Sequence, residues 1–518
     1  MKHVVYFILS LIFITIWSSC RNDFEFSPTI GQLQFSKDTV YLDTVFTNIG
    51  SSTYNLKVYN KSDENILIPS IGLGLGETSE YRLNIDGIPG KTFENIELLA
   101  QDSMFVFVET TIDISSLPNL NNEFLYTDFI EFGTGSDAQK VELVTLVKDA
   151  VFIYPDRDNT TGIIETLTLN INGEMIDTEI QGRYLLPSEL TFTNEKPYVI
   201  YGYAAVPLNE TLVVEAGARV HFHADSGIIV TESASINVNG EFSSDQEVLE
   251  NEVIFEGDRL EPLFEDVPGQ WGTIWLFEGS TNNTINYATI KNAAVGILSD
   301  GNGEDIVEKL TISNSQIYNS SNFGILGRAT SIKGENLVIN NSGQSSFAGT
   351  IGGKYNFTHS TIANYWNNSF RQFPSVLINN FLVDADNNVL VNDLLEANFN
   401  NCIIYGNDNP EFLIEKEGET IFNFKFTNCL IRFDNSNNAF TQPEYDFNNV
   451  AIYENNIFNE EPDFLNVDTN KLIIGENSAA INQGNSTFAL QVPVDILNID
   501  RTSSTDLGAY QHIIFEED

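Results

Sequence analysis

Cysteine is nearly absent from this chain: 518 residues hold three, at Cys20, Cys402 and Cys429. So few cannot build a disulfide framework, so the fold must rest on a buried apolar core, which this length and a hydrophobic fraction of 42% can supply. Basic residues are scarce as well. Lys and Arg number 25 against 72 Asp and Glu, a formal net charge of −47. A surface of that sign repels phosphate backbones, whose binding depends on Lys and Arg displacing counterions, so nucleic acid is excluded as a partner. The acidic residues are dispersed rather than clustered. That pattern reads as solubility and self-repulsion ahead of a divalent-cation store or a basic partner.

The apolar run from Val4 to Trp17 is shorter than the about 20 residues a spanning helix needs. It follows Met1-Lys2-His3 and ends at Ser18-Ser19-Cys20, the layout of a cleaved secretory signal over residues 1–20, with a tether over 21–30. Small residues leading to a cysteine resemble the lipobox of bacterial lipoproteins, although Trp17 stands where that motif usually has Leu. The resemblance implies lipidation at Cys20. The acidic residues in Arg21-Asn22-Asp23-Phe24-Glu25 resemble signals that keep some lipoproteins out of the inner membrane. The expectation is an outer-membrane protein on the cell surface or periplasmic face, anchored by acyl chains at about 0.8 kcal/mol per buried CH₂.

Residues 31–150 read as alternating strands such as Tyr54 to Tyr59, Met104 to Val108 and Val141 to Leu146, separated by Gly, Asn, Asp and Ser turns. Several antiparallel strands in that length predict a β-sandwich, and their order resembles immunoglobulin-like modules. A linker and cap is expected over 151–197, and an acidic tail over 512–518.

Between them a repeat emerges. Segments centred on Ile290, Ile317, Ile339, Ile362, Ile404 and Ile431 each carry Asn or a small polar residue at their edges, and the isoleucines are spaced by 27, 22, 23, 42 and 27 residues. A strand-based period in the low twenties predicts a parallel solenoid over 198–511, in which one coil cannot bury its inward side chains alone. The repeated Asn can both donate to and accept from its copies in adjacent coils. The long gap, covering Asn367 to Ala397, predicts an extra rung or a protruding loop.

Pro268-Gly269-Gln270-Trp271-Gly272-Thr273-Ile274-Trp275 and the rung Asn286 to Ala293 resemble the Gly-x-Trp-Gly-x-Ile pattern of right-handed parallel β-helix proteins of the pectin-lyase-like class. Ser478 to Gly484 and Asp506 to Gln511 resemble that class's closing segments, with departures at Ala479, Asn482 and Gln511. The resemblance implies an all-β chain, an immunoglobulin-like sandwich followed by a β-helix. Enzymes of the class cleave acidic polysaccharides, by Ca²⁺-assisted elimination or by paired aspartates. The hydrolytic signatures Asn-Thr-Asp, Gly-His-Gly and Arg-Ile-Lys are not present, so no catalytic residue is assigned.

Candidate ligand contacts are Arg259 and Glu261, in a polar segment expected to project beside Trp271 and Trp275, and Trp366 with Arg371. Aromatic rings offer contact area at little entropic cost, while core packing and a solvated arginine are the plain alternatives. Asp300, Asn302 and Glu304 form the candidate Ca²⁺ turn, although Asp305 stands where an EF-hand loop needs Gly. Asp384 and Asp386 look similar. His221 and His223 share one strand face without an evident third metal ligand, and Cys402 and Cys429, on neighbouring coils, are expected as buried thiols. The expected function is a non-catalytic scaffold for a glycan or an outer-membrane protein, with a polysaccharide lyase or glycoside hydrolase as the alternative. No cofactor beyond Ca²⁺ is expected, and the sequence leaves the oligomeric state open.

Overall fold

The computed structural model describes residues 26–28, 33–117, 122–171, 173–303, 308–436 and 438–515. The lipidation candidate Cys20, the signal segment and Glu304 lie outside the described residues. The chain divides into two compact units at Asp149 and Ala150. Among the described residues no helix is long and apolar enough to cross a membrane.

The first unit contains two sheets. One orders Ser27–Pro28, Ile66–Leu73, Glu123–Phe132, Gln139–Lys148 and Thr39–Phe46, with Thr92–Leu98 also paired to Ile66–Leu73. The other orders Leu33–Phe35, Tyr54–Asn60, Ser103–Thr110, Tyr81–Ile85 and Ile88–Gly90. Alternation explains their shared core: in Ser103–Thr110 the residues Met104, Val106 and Val108 turn inward while Phe105 and Phe107 face out. Inward residues of both sheets, including Val40, Leu143, Leu56 and Tyr81, form one apolar cluster. The expectation of antiparallel strands needs correction at Thr39–Phe46, which pairs parallel to Gln139–Lys148, and Ser27–Pro28, in the span read as a tether, pairs parallel to Ile66–Leu73.

Besides two small antiparallel hairpins, Phe381–Val383 with Val389–Val391 and Phe464–Asn466 with Lys471–Ile474, the second unit holds one large sheet, mostly parallel, with a solenoid-like connectivity. Apart from the antiparallel hairpin Thr166–Ile171 with Glu174–Tyr184, its strands pair in parallel ladders, each strand with its counterpart one coil away. The first ladder registers Val151, Tyr198, Val220, Phe255, Ile290, Ile317, Ile339, Ile362, Ile404, Ile431 and Phe458 in succession, which includes all six isoleucines of the repeat. The second aligns Ala204, Ile228, Ile274, Ile297, Ile325, Phe347, Val376 and Phe412. The third aligns Val214, Val238, Ile285, Ile312, Gly334, Phe357, Phe399, Phe426 and Tyr453. Inward residues of the three ladders meet in one core. Each fully buried Ile or Phe there contributes about 1.5–3 kcal/mol.

Ile362 pairs directly with Ile404, so the gap of 42 is a single coil with an excursion. Its extra length is the loop after Asn364 and a hairpin of Phe381–Val383 with Val389–Val391. Pairing begins with Val151–Ile153, inside the span read as linker and cap. The closing segments do not end the stack. Tyr510, Ala509, Ile496 and Leu472 pack on outward-facing Val338 and Ala363, and Leu507, Ala480 and Ile474 pack on Ile403, Tyr405 and Leu430. The last part of the chain therefore lies along the outer face of the first ladder.

The predicted asparagine contacts occur at the corners. Tyr287, Asn314, Asn336, His359, Asn401, Asn428 and Asn455 each form the one-residue turn into the first ladder, with φ between 45° and 53°. Asparagine tolerates this left-handed conformation better than most residues. Asn336 Nδ2 donates to Asn314 Oδ1 at 2.9 Å, and Asn314 Nδ2 donates to Asn286 Oδ1 at 2.9 Å. A second file leaves the first ladder, where Asn341 Nδ2 donates to Asn319 Oδ1 at 2.7 Å and Asn319 Nδ2 to Asn292 Oδ1 at 3.3 Å.

Candidate functional site

In a strand, alternate residues face outward, so the positions beside the inward column of the first ladder form a second column on its outer face. That column reads Val199, His221, Glu256, Lys291, Tyr318 and Asn340, and its flank carries Arg219, Thr289 and Gln316. His221, Glu256 and Lys291 thus project side by side from three successive coils.

Lys291 Nζ lies 2.9 Å from Glu256 Oε2, and His221 Nδ1 lies 3.6 Å from Glu256 Oε1 and 3.2 Å from the Gly257 carbonyl. Burial pushes the Glu256 carboxyl up, but His221, Lys291 and Arg219 together outweigh it and hold the group below the ordinary carboxylate range. Glu252, one strand length earlier, behaves oppositely. Burial raises its carboxyl above the usual range despite Thr289, Gln316 and Arg219, and Thr289 Oγ1 donates to its Oε2 at 3.0 Å. Arg219 is anchored by carbonyls, donating to Glu252 O at 2.7 Å and Leu249 O at 2.7 Å. Tyr318 hydrogen-bonds Gln316, and Tyr510 from the C-terminal segment reaches the same Gln316 oxygen at 3.4 Å. The patch therefore gathers two carboxyls displaced in opposite directions, two fixed cations and tyrosine hydroxyls; Glu252 and His221 are buried within it, and Tyr318 and Tyr510 pack in the cluster of the C-terminal segment.

Two loops border it. Residues 241–252 bend back through Ser243, whose hydroxyl accepts from Asn251 N, and Glu247 pairs with Lys471 at 2.9 Å. Residues 258–270 stand at the other corner, held where Asn292 Nδ2 donates to the Glu265 carbonyl at 2.8 Å and Asn319 Nδ2 to Asp266 Oδ1 at 3.0 Å.

The candidates chosen from sequence are not brought together. Arg259 and Glu261 sit in the second of these loops but pair with each other at 3.0 Å, and the guanidinium covers the Phe264 ring at 3.9 Å. Trp271 is 1% exposed and stacks on Phe222 at 4.2 Å, so it is core. Trp275 belongs to the second ladder, donates to Asp300 Oδ2 at 2.8 Å and packs under the hairpin 166–184 with Leu167 and Leu169. Trp366 is buried, donating to Ser369 Oγ at 3.0 Å. Arg371 is no solvated arginine: its side chain is 2% exposed and grips buried Glu411 through both carboxylate oxygens, at 2.8 and 2.7 Å. Ser375 completes that carboxylate's bonding, so the pair locks the loop before it to the turn at Asp408.

The cation turn is likewise committed elsewhere. Asp300 takes Arg328 through two bonds, at 2.6 and 2.7 Å, besides Trp275, and Asn302 is exposed. Asp384 spends its oxygens on the amides of Asp386 and Asn388. Among the described residues no three His, Cys, Asp or Glu side chains gather as a metal site. His223 faces Asp258 at 2.8 Å and stacks on Tyr201 at 4.4 Å, apart from His221's partners. Cys402 and Cys429 are buried free thiols. Sequence reasoning missed Arg219, Glu252, Glu256, Lys291 and Tyr318. Only position pointed to them, since Lys291 and Tyr318 each follow an isoleucine of the repeat by one residue, while Glu256 follows Phe255, which the repeat did not include.

No protein-family model and no curated protein matches this chain. Among solved structures, the catalytic unit of a GH87 α-1,3-glucanase from Streptomyces thermodiastaticus strain HF3-3 is similar over 73% of this chain and 79% of its own, with 9% identity and a TM-score of 0.22. The Escherichia coli chaperone DraB is similar over 24% of this chain and 58% of its own (14%, 0.16), and a PapD-like domain of human CEP192 over 26% and 94% (9%, 0.15). At these scores the likenesses carry no statement about what this chain does.

Proposed function

We propose that the chain is exported and held at the outer membrane through acyl chains on Cys20, and that its second unit is a right-handed parallel β-helix of the pectin-lyase-like class following an immunoglobulin-like domain. On this scaffold, the outward face around Glu256 and Lys291 binds a glycan strand. The observation that carries the reading is the row of His221, Glu256, Lys291 and Tyr318 across successive coils, bordered by two ordered loops. Sugar hydroxyls both donate and accept, which suits fixed carboxylates, cations and phenols in alternation. Glu252 and Glu256 balance Arg219 and Lys291, so an uncharged glycan fits the face better than a polyanion, which a net charge of −47 would also repel.

Cleavage is the second reading, favoured by Glu252 and Glu256 being displaced in opposite senses, as for a proton donor beside an ionised carboxylate. One experiment separates the readings. The full chain is challenged with a panel of neutral and acidic polysaccharides, and retention and new reducing ends are measured together. Binding predicts retention of a neutral polysaccharide that falls at least about tenfold in Lys291→Ala, the loss of about 1.4 kcal/mol of contact. Hydrolysis predicts reducing ends that disappear in Glu252→Gln while retention persists. Equal retention by wild type and Lys291→Ala, or none by either, would overturn the assignment.

A further inference from the structure

A separate surface lies on the long coil. The hairpin of Phe381–Val383 and Val389–Val391 is apolar on both faces: Leu382, Val383, Val389 and Leu390 are 49%, 48%, 49% and 54% exposed. Among the described residues no third strand pairs with it, so its backbone edges are open. An ordered hairpin with apolar side chains and open edges is a template for strand addition. It is held in place and does not wave free. Asp384 closes the tip by accepting from Asn388, and at the root Asn380 Nδ2 donates to the Glu417 carbonyl while Asn380 Oδ1 accepts from Glu417 N at 2.8 Å.

At that root a cavity of about 550 Å³ opens between Phe381, outward-facing Leu413 and the aromatic floor of Phe440 and Tyr445. The floor is fixed, since Tyr445 Oη exchanges bonds with both backbone groups of Ile414, at 2.9 and 2.8 Å. Four glutamates, Glu415, Glu417, Glu419 and Glu444, rim it, and Lys416 is the one cation among the described residues that line it. Burial pushes the Glu415 carboxyl above its usual range, which a cation settling beside it would reverse.

We propose that this hairpin and cavity dock an extended peptide segment of a partner protein, one that alternates apolar residues with Lys or Arg. The segment adds as a third strand to the hairpin edge, and a basic side chain enters the glutamate-rimmed cavity over Phe440 and Tyr445. Charge decides the occupant. A second copy of this chain would bring another net charge of −47 to an acidic rim, whereas a basic segment gains from the same field.

The test measures binding of the full chain to a short blocked peptide alternating lysine with valine, and to its glutamate-for-lysine counterpart, by fluorescence anisotropy at low and physiological salt. The lysine peptide should bind, more weakly as salt screens the rim. Its affinity should fall about tenfold in Leu382→Ser/Leu390→Ser and again in Glu417→Gln/Glu419→Gln, each losing about 1.4 kcal/mol. All four side chains are exposed, and an unchanged thermal transition confirms that the variants fold. Binding of neither peptide, equal binding of both, or affinity untouched by the variants would overturn the proposal. None of these readouts depends on the glycan face, whose variants at Lys291 should bind the peptide as wild type does.

Discussion

Two buried ionisable residues show how position decides the role of a side chain. His359 occupies a corner that asparagine fills in the neighbouring coils, with Asn401 Nδ2 2.9 Å from its Nε2. Burial, helped by Arg501, drives its imidazole well below the ordinary value. The unfolded chain therefore takes up a proton that the folded chain refuses. Its share of stability is complete above the ordinary histidine range and is lost as pH falls below about 6.5, at up to about 1.4 kcal/mol per pH unit. His359→Asn supplies the residue the corner favours, so urea midpoints at pH 7.5 and pH 5 should lie closer together than in the wild type. Arg371 makes the second case. Arg371→Ala leaves the Glu411 carboxylate buried without its cation and should cost about 3–5 kcal/mol, whereas Arg371→Met with Glu411→Leu should recover most of it. Equal urea midpoints for single and double variants would contradict this account.

Among elements, the stacked coils depend on like residues meeting. Phe357, Phe399, Phe426 and Tyr453 stack in the third ladder with ring centroids 5.4, 4.9 and 5.6 Å apart and planes within 13°. Phe399→Ala in the middle of that column should cost about 3–5 kcal/mol, read from chemical denaturation, and no loss would deny that the column bears load. This inward pattern was legible in the sequence, because a buried position accepts only Ile, Val, Leu or Phe and so repeats visibly at Ile290, Ile317 and Ile339. The asparagine corners were legible too, since few residues tolerate positive φ. The outward row was not: His221, Glu256, Lys291 and Tyr318 share a column but no chemistry, so nothing in their identities repeats. Choosing Trp271 and Arg371 by residue type failed for a related reason. Which face a side chain occupies, and that Arg371 meets Glu411 40 positions away, follow from the path of the long coil.

At the scale of the whole molecule, the described residues give two all-β units whose cores form without a disulfide, as the scarcity of cysteine requires. The C-terminal segment lies on the outer face of the first ladder, pinned where buried Arg501 donates to Asn336 Oδ1 at 2.9 Å and where Asn401 Nδ2 donates to the Asn485 carbonyl at 3.0 Å. It leaves the Glu256 and Lys291 coils outside its apolar clusters. Export and anchoring belong to this scale as well: Cys20→Ala should move the protein from the membrane fraction to the soluble fraction, and unchanged retention would contradict the acyl anchor. The central claim, that a glycan lies across successive coils at Glu256, is tested most directly by hydrogen exchange of the full chain with and without a retained polysaccharide. The account predicts slowed exchange concentrated in Arg219–Phe222, Val253–Gly257 and Ala288–Lys291 and in the loops beside them; protection confined to other coils, or to the first unit, would contradict it.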